Sequence, residues 1–246
     1  MQDLQGYLQR MEKSMTDKLF FVDKIDLTKF DLVVDFGCAD GTFIKYLNEL
    51  YDSQNFLGYD ISQQMIEKAR QNVNCENVKF TGNLQELYEF IAEKKYAIVF
   101  SSVLHELGKD DFDLAINLMK NSSAVIIRDM YFDKTRDQKF DCSKILENRK
   151  TDENLVDFEK KYGKIDNLLN LYHYFLKYTY TQNWQTEVLE NYFGIDYQKI
   201  FDNLKNNFEI LYDEKFTLPY KKDEIKKNFD FDLSLPTHRK LIFVKR

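Results

Sequence analysis

No stretch of this 246-residue chain approaches the roughly 18 consecutive apolar residues that a membrane span needs. The start, Met1-Gln2-Asp3-Leu4-Gln5, is polar and lacks the charged and apolar regions of a secretory signal. A soluble, cytoplasmic protein without membrane partners is expected. Cysteine is scarce and scattered, at Cys38, Cys75 and Cys142, which excludes a disulfide framework and a clustered thiolate site. The three histidines are far apart in sequence, so no metal is expected. An excess of positive charge is missing too: the net charge is -6 and the pI near 5.3, which argues against a broad phosphate-binding surface. The hydrophobic content of 43% is ample for a core, and the length suits one compact domain with an addition.

The most informative segment present is Asp31-Leu32-Val33-Val34-Asp35-Phe36-Gly37-Cys38-Ala39-Asp40-Gly41. Val33, Val34 and Phe36 suit a strand buried on both faces, Gly37 permits a sharp turn, and Gly41 permits close packing of the helix pattern that follows. A helix N-terminus placed there offers backbone N–H groups to a ligand. The dinucleotide pattern G-x-G-x-x-G is absent, since Gly37 and Gly41 are four apart with Ala39 between them, and this makes a dehydrogenase the weaker reading. A second apolar run, Phe56-Leu57-Gly58-Tyr59, ends on Asp60, an acid able either to accept from two adjacent hydroxyls or to cap the next helix in competition with Ser62.

Asp35, Gly37, Ala39 and Gly41 together resemble the first motif of the class I S-adenosylmethionine-dependent methyltransferases, an acid followed by G-x-G-x-G, with alanine for the middle glycine. The resemblance covers residues 14–130 well and the last 40 loosely. It implies S-adenosylmethionine as cofactor, Asp35 ordering the loop, Gly37 and Gly41 admitting the methionine part, and Asp60 holding the ribose diol. Ile61 beside that acid, Cys38 and Met65 are expected to line the same pocket. Asn83 falls where such enzymes place a group against the adenine amine, with Leu84 next to it, although Asn83 equally suits an N-cap. Ser101 ends the fourth strand and completes the expected cofactor set.

Strand and helix patterns alternate through the first half. Strands are predicted at 31–36, 56–60, 78–80, 96–100 and 124–127, and helices near 41–51, 63–73, 84–94 and 110–120. Leu4, Leu8, Met11, Met15 and Leu19 recur at helical spacing over 3–21. With Phe208–Tyr212 and Lys240–Val244 as closing strands, the expected fold is a doubly wound, mainly parallel α/β sheet of seven strands with helices on both faces. Residues 1–130 and 208–246 form the expected core. Residues 131–207 form a helical insertion between strands five and six. Leu168, Leu171, Phe175 and Tyr178 recur at helical spacing there, and Tyr172, Tyr174, Tyr180, Trp184, Tyr192 and Phe193 either make its own core or build a lid over a substrate. Its 12 Lys+Arg against 13 Asp+Glu lack the basic excess of a nucleic-acid clamp, so a small-molecule acceptor is favoured over RNA or protein. The pairs Lys221-Lys222 and Lys226-Lys227 read as a solvated face.

Acceptor chemistry is expected at the carboxyl edge of the strands. His105 and Glu106 follow the fourth strand and are candidate catalytic bases, or else a helix-entry pair satisfied by backbone. Arg128 ends the fifth strand and either holds an anionic acceptor or pairs with Asp129 or another acid. The Asn/Asp-Pro-Pro-aromatic motif common in nucleic-acid amino-methylating members of the class is missing, as the only prolines are Pro219 and Pro236. An intact cofactor corner also fits a non-catalytic S-adenosylmethionine-binding regulator.

Overall fold

β1 (Leu32–Phe36) is buried at every position, as a strand covered on both faces requires. The computed structural model describes residues 15–147 and 152–246. From β1 the chain alternates through α1 (Thr42–Leu50), β2 (Phe56–Tyr59), α2 (Gln63–Asn72), β3 (Val78–Thr81), α3 (Leu84–Ile91), β4 (Tyr96–Ser101), α4 (Lys109–Asn121) and β5 (Ala124–Met130). β1 pairs in parallel with β2 and β4, β2 with β3, and β4 with β5. With β6 (Phe208–Phe216) and β7 (His238–Lys245), the sheet has the order β3-β2-β1-β4-β5-β7-β6. Backbone bonds join Lys245 to Ser123, just before β5, and Tyr131, just after it, to Thr237, so β7 runs antiparallel to β5. The seven-stranded, mainly parallel sheet with surrounding helices matches the expected architecture. The predicted helix over 3–21 lies mostly outside the described residues; within them, 15–18 are helical and 19–24 form turns. None of the described helices is long and apolar enough to cross a membrane.

The described residues divide into two compact units, one of 15–129, 196–213 and 240–246, the other of Met130–Ile195 and Glu214–Arg239. The first holds the apolar cluster around Phe21, Val33, Ile44, Phe56, Ile66, Val99 and Ile126. In the second, α5 (Glu153–Tyr162), α6 (Leu168–Tyr178) and α7 (Trp184–Glu187) gather Tyr172, Tyr174, Phe175, Trp184, Tyr192 and Phe193 into a single buried cluster. The aromatic richness of this segment is therefore used on its own core. α8 (Tyr197–Leu204) belongs to the first unit and packs on α4, whereas 214–239 group with the helical unit, so the division falls elsewhere than at 131 and 207.

The solvated face expected over the lysine pairs is corrected at one position. α9 (Pro219–Phe229) turns Lys221, Ile225 and Phe229 inward at four-residue spacing. The Lys221 ammonium donates to Thr179 Oγ1 and lies 3.8 Å from the Tyr180 ring centroid, a cation–π contact that keeps the buried charge partnered.

Candidate active site

The strand order reverses between β1 and β4, and in open α/β sheets the carboxyl ends of the strands at such a switch point are where ligands bind. In register, Phe36 lies between Tyr59 and Phe100, and Ser101 lies beside Arg128, so the expected site residues reach the same edge. After β1 the backbone is left-handed at Gly37 (φ 81°), Ala39 (φ 46°) and Gly41 (φ 75°). A Cβ on Gly37 would come within 2.5 Å of Val103 Cγ2, so that turn requires glycine. Gly41 is the N-cap of α1. Asp60 closes the corner: Oδ2 accepts from Ala39 N–H at 2.9 Å and Oδ1 from Ser62 N–H at 2.8 Å. A carboxylate accepts about four hydrogen bonds, so Asp60 shapes the turn and retains capacity for a diol.

The other expected cofactor residues fall out differently. Ile61 stands beside Asp60 with 83% of its surface exposed, an apolar side chain bared directly after β2. Ser101 Oγ is buried with no hydrogen-bond partner among the described residues. Met65 is half-buried and Leu84 opens α3. Asn83 caps α3, its Oδ1 accepting from Gln85 N–H at 2.8 Å and Glu86 N–H at 3.4 Å. Cys38 is buried in the apolar cluster, where burial pushes its thiol far up, so it is an inert packing group.

Beyond β4, Ser102 adopts a left-handed φ of 62°, and the chain turns so that His105 is buried. His105 Nδ1 lies 2.6 Å from Asp129 Oδ1, while Asp129 Oδ2 accepts from Val103 N–H at 2.9 Å and Leu104 N–H at 2.7 Å. Glu106 Oε1 is 3.8 Å from His105 Nε2, with 52% of the Glu106 side chain exposed. Arg128 donates from Nε to Asp17 Oδ2 at 2.8 Å and from Nη1 to Ser102 Oγ at 2.7 Å, and its Nη2 lies 2.7 Å from the same Asp17 oxygen as an ion pair. Of its two sequence readings, pairing with an acid describes these contacts, and the acid is Asp17.

Sequence reasoning missed Asp17, Lys18, Lys240 and the anchoring role of Asp129. Lys240 Nζ reaches Asp17 Oδ1 at 2.6 Å. Burial pushes the Lys18 ammonium down to about 8, with Arg128 adding to it and Asp35 opposing. Burial pushes Asp35 up to about 7, opposed by Lys18 and reinforced by the nearby Asp60 carboxylate. The folded state therefore favours protonated Asp35; its stabilising contribution is full below about pH 4 and is lost as pH rises through about 7. Asp35→Asn keeps a neutral side chain of the same shape. The stability of the variant relative to the parent is expected to improve between pH 4 and pH 8 by up to about 4 kcal/mol. Urea unfolding at several pH values measures this, and a constant gap across the window would remove Asp35 as the titrating group.

The family model for a methyltransferase domain matches residues 33–122. No curated protein matches the chain. Among solved structures, a SAM-dependent methyltransferase from Anabaena variabilis ATCC 29413 is similar with a TM-score of 0.56 at 15% identity, over 96% of this chain and 85% of that one. The plantazolicin methyltransferase BamL, solved with a triazolic desmethylPZN analog and SAH, gives 0.51 at 14% identity over 95% and 84%. The pyocyanin biosynthetic protein PhzM gives 0.54 at 12% identity; the match covers 98% of this chain and 57% of that one.

Proposed function

We propose that this chain, a class I S-adenosylmethionine-dependent methyltransferase by its domain match and its fold, methylates a hydroxyl or amine of a small molecule, with His105 removing the proton. The observation that carries the reading is the buried His105–Asp129 pair directly after β4, at the edge where the Gly37 turn and Asp60 also stand. The residues present fit the cofactor. The left-handed turn at Gly37 admits no side chain, Asp60 keeps accepting capacity for a ribose diol, Ile61 offers a bare apolar surface, and the buried Ser101 hydroxyl lacks a protein partner among the described residues. S-adenosylmethionine, when bound, supplies a methyl group already activated by a sulfonium charge. What remains for the protein is to align the acceptor and take up a proton. Glu106 is the weaker candidate, because half of its side chain is in solvent and its contacts do not fix it in place as the Asp129 bond fixes His105.

Support for a small acceptor comes from the near-balanced charge of 131–207 and from the burial of its aromatic residues, which leaves few for stacking on exposed bases. BamL and PhzM, as similar folds, are consistent with it. The test is incubation with methyl-labelled cofactor and fractionated cell extract. Label entering metabolites is the expected result. Label confined to RNA or protein would redirect the acceptor class, and binding without any transfer would favour a regulator.

The cofactor end has a separate expected outcome. Asp60→Ala is expected to weaken S-adenosylmethionine binding by about 1.5–3 kcal/mol, the usual cost of a lost charge-assisted bond, with the fold retained. Calorimetry measures it. An unchanged affinity would take Asp60 out of the ribose site.

A further inference from the structure

We propose that the amino edge of the sheet, at the other end of the strands from the candidate active site, binds an organic phosphate, a polyanionic head on a partly apolar body. None of the residues involved belongs to the cofactor corner or to the His105 loop, so the proposal is independent of the proposed function. Lys95 immediately precedes β4 and Ser123 precedes β5. β7 runs the other way and brings Lys245 to the same edge, its N–H donating to Ser123 O at 2.9 Å, with Arg246 next to it. With the segment 24–30 before β1 and the start of β6, these residues line a cavity of about 530 Å³, within the ~300–1,000 Å³ of small-molecule sites. β4 spans six residues at ~3.3 Å each, which puts the cavity about 20 Å from the edge where Ser101 and Arg128 stand. The wall carries five side-chain cations, Lys24, Lys29, Lys95, Lys245 and Arg246, against two carboxylates, Asp26 and Glu209. The chain as a whole has a net charge of -6, so this is a local reversal of sign, and like charges around a concavity attract an anion. They are little neutralised by the protein. Lys95, Lys245 and Arg246 form no ion pair among the described residues, and Lys29 meets Asp26 only at 3.9 Å with both side chains well solvated. Lys24 has a closer acid, Asp23 at 2.8 Å. Four of the five cations are lysines, point charges that suit phosphate oxygens, whereas planar carboxylates favour arginine forks. The Ser123 hydroxyl adds a neutral donor. Ile25, Phe30, Val244 and Leu211 supply an apolar wall, on which Leu211 is 48% exposed, and Lys95 Nζ lies 5.5 Å from the Phe30 ring centroid. Charge set directly beside a bare apolar wall fits a phosphate that carries an organic body better than an inorganic one.

The test is calorimetry with magnesium-free ATP on the intact chain saturated with S-adenosylhomocysteine, which keeps the probe out of the cofactor corner. Binding is expected, and Lys95→Glu and Lys245→Glu are each expected to weaken it by about 10–100-fold, the usual loss for a charge-assisted contact. Lys79→Glu, on β3 at the far end of the sheet, changes the net charge equally and should leave the affinity near that of the parent. Leu211→Ser should weaken ATP several-fold and leave inorganic triphosphate unchanged, because only an organic body meets that wall. Absence of ATP binding in the parent overturns the proposal, and this outcome requires no variant to fold. Equal losses in Lys79→Glu and Lys95→Glu overturn it too, since the attraction would then be general. Inorganic triphosphate binding as tightly as ATP would remove the organic body and with it the ligand class. A single-stranded RNA that binds more tightly than ATP and competes with it would overturn the small-molecule site in favour of a nucleic-acid path.

Discussion

His105→Ala is expected to slow single-turnover methyl transfer by about 10²–10⁴-fold at saturating cofactor, the range a positioned general base contributes. Cofactor affinity should stay near that of the parent, because the Gly37 turn and Asp60 bonds involve other residues. The size of the drop depends on the acceptor. A hydroxyl must lose its proton as the new bond forms, so the base acts in the transition state. An amine already carrying a free lone pair attacks first and loses its proton afterwards, which places the effect near the lower limit. Glu106→Gln should change the rate much less, since that side chain is half in solvent and meets Nε2 at 3.8 Å, beyond hydrogen-bond range. Equal losses in the two variants would indicate that they act as one unit. Parent rates in both would leave alignment alone to account for transfer and return the pair to a helix-entry role.

The cofactor corner was legible because its determinants are local in sequence. Asp35, Gly37 and Gly41 fall within seven residues, and Asp60 follows at the next strand end, so strand pattern and turn chemistry suffice. The elements of the sheet were readable for the same reason, as buried strands alternate with capped helices. The polar architecture behind the site was not. Asp129 and His105 are 24 residues apart, and Arg128 and Asp17 are 111 apart. Only the parallel register of β4 and β5 brings the first pair together. Asp17 carries none of the strand and turn motifs and sits in a segment whose periodicity advertised a covering helix. α9 was missed because its lysines mask a narrow apolar stripe. Reading Lys221 as solvated failed because a lysine stem packs among apolar groups while its charge finds a ring and a hydroxyl.

Asp17→Ala is expected to cost about 3–5 kcal/mol of stability, as removal of one partner of a buried ion pair strands the opposite charge. Asp17 is unusual in serving two cations: Arg128 through both Nε and Nη2, and Lys240 at 2.6 Å. The Arg128 side chain is 5% exposed and that of Lys240 12%, so neither reaches bulk water when the carboxylate is lost. Arg128 also opposes the Lys18 charge, so the loss leaves three positive groups near one another. Arg128→Met alone should cost less, because Asp17 keeps Lys240. Adding Arg128→Met to Asp17→Ala should recover a large part of the loss, since the stranded guanidinium is then gone. A double-mutant cycle from urea unfolding gives the coupling directly. Additive effects of the two substitutions would mean that the pair stabilises nothing jointly, and Arg128 would then be open again to the role of holding an anionic acceptor.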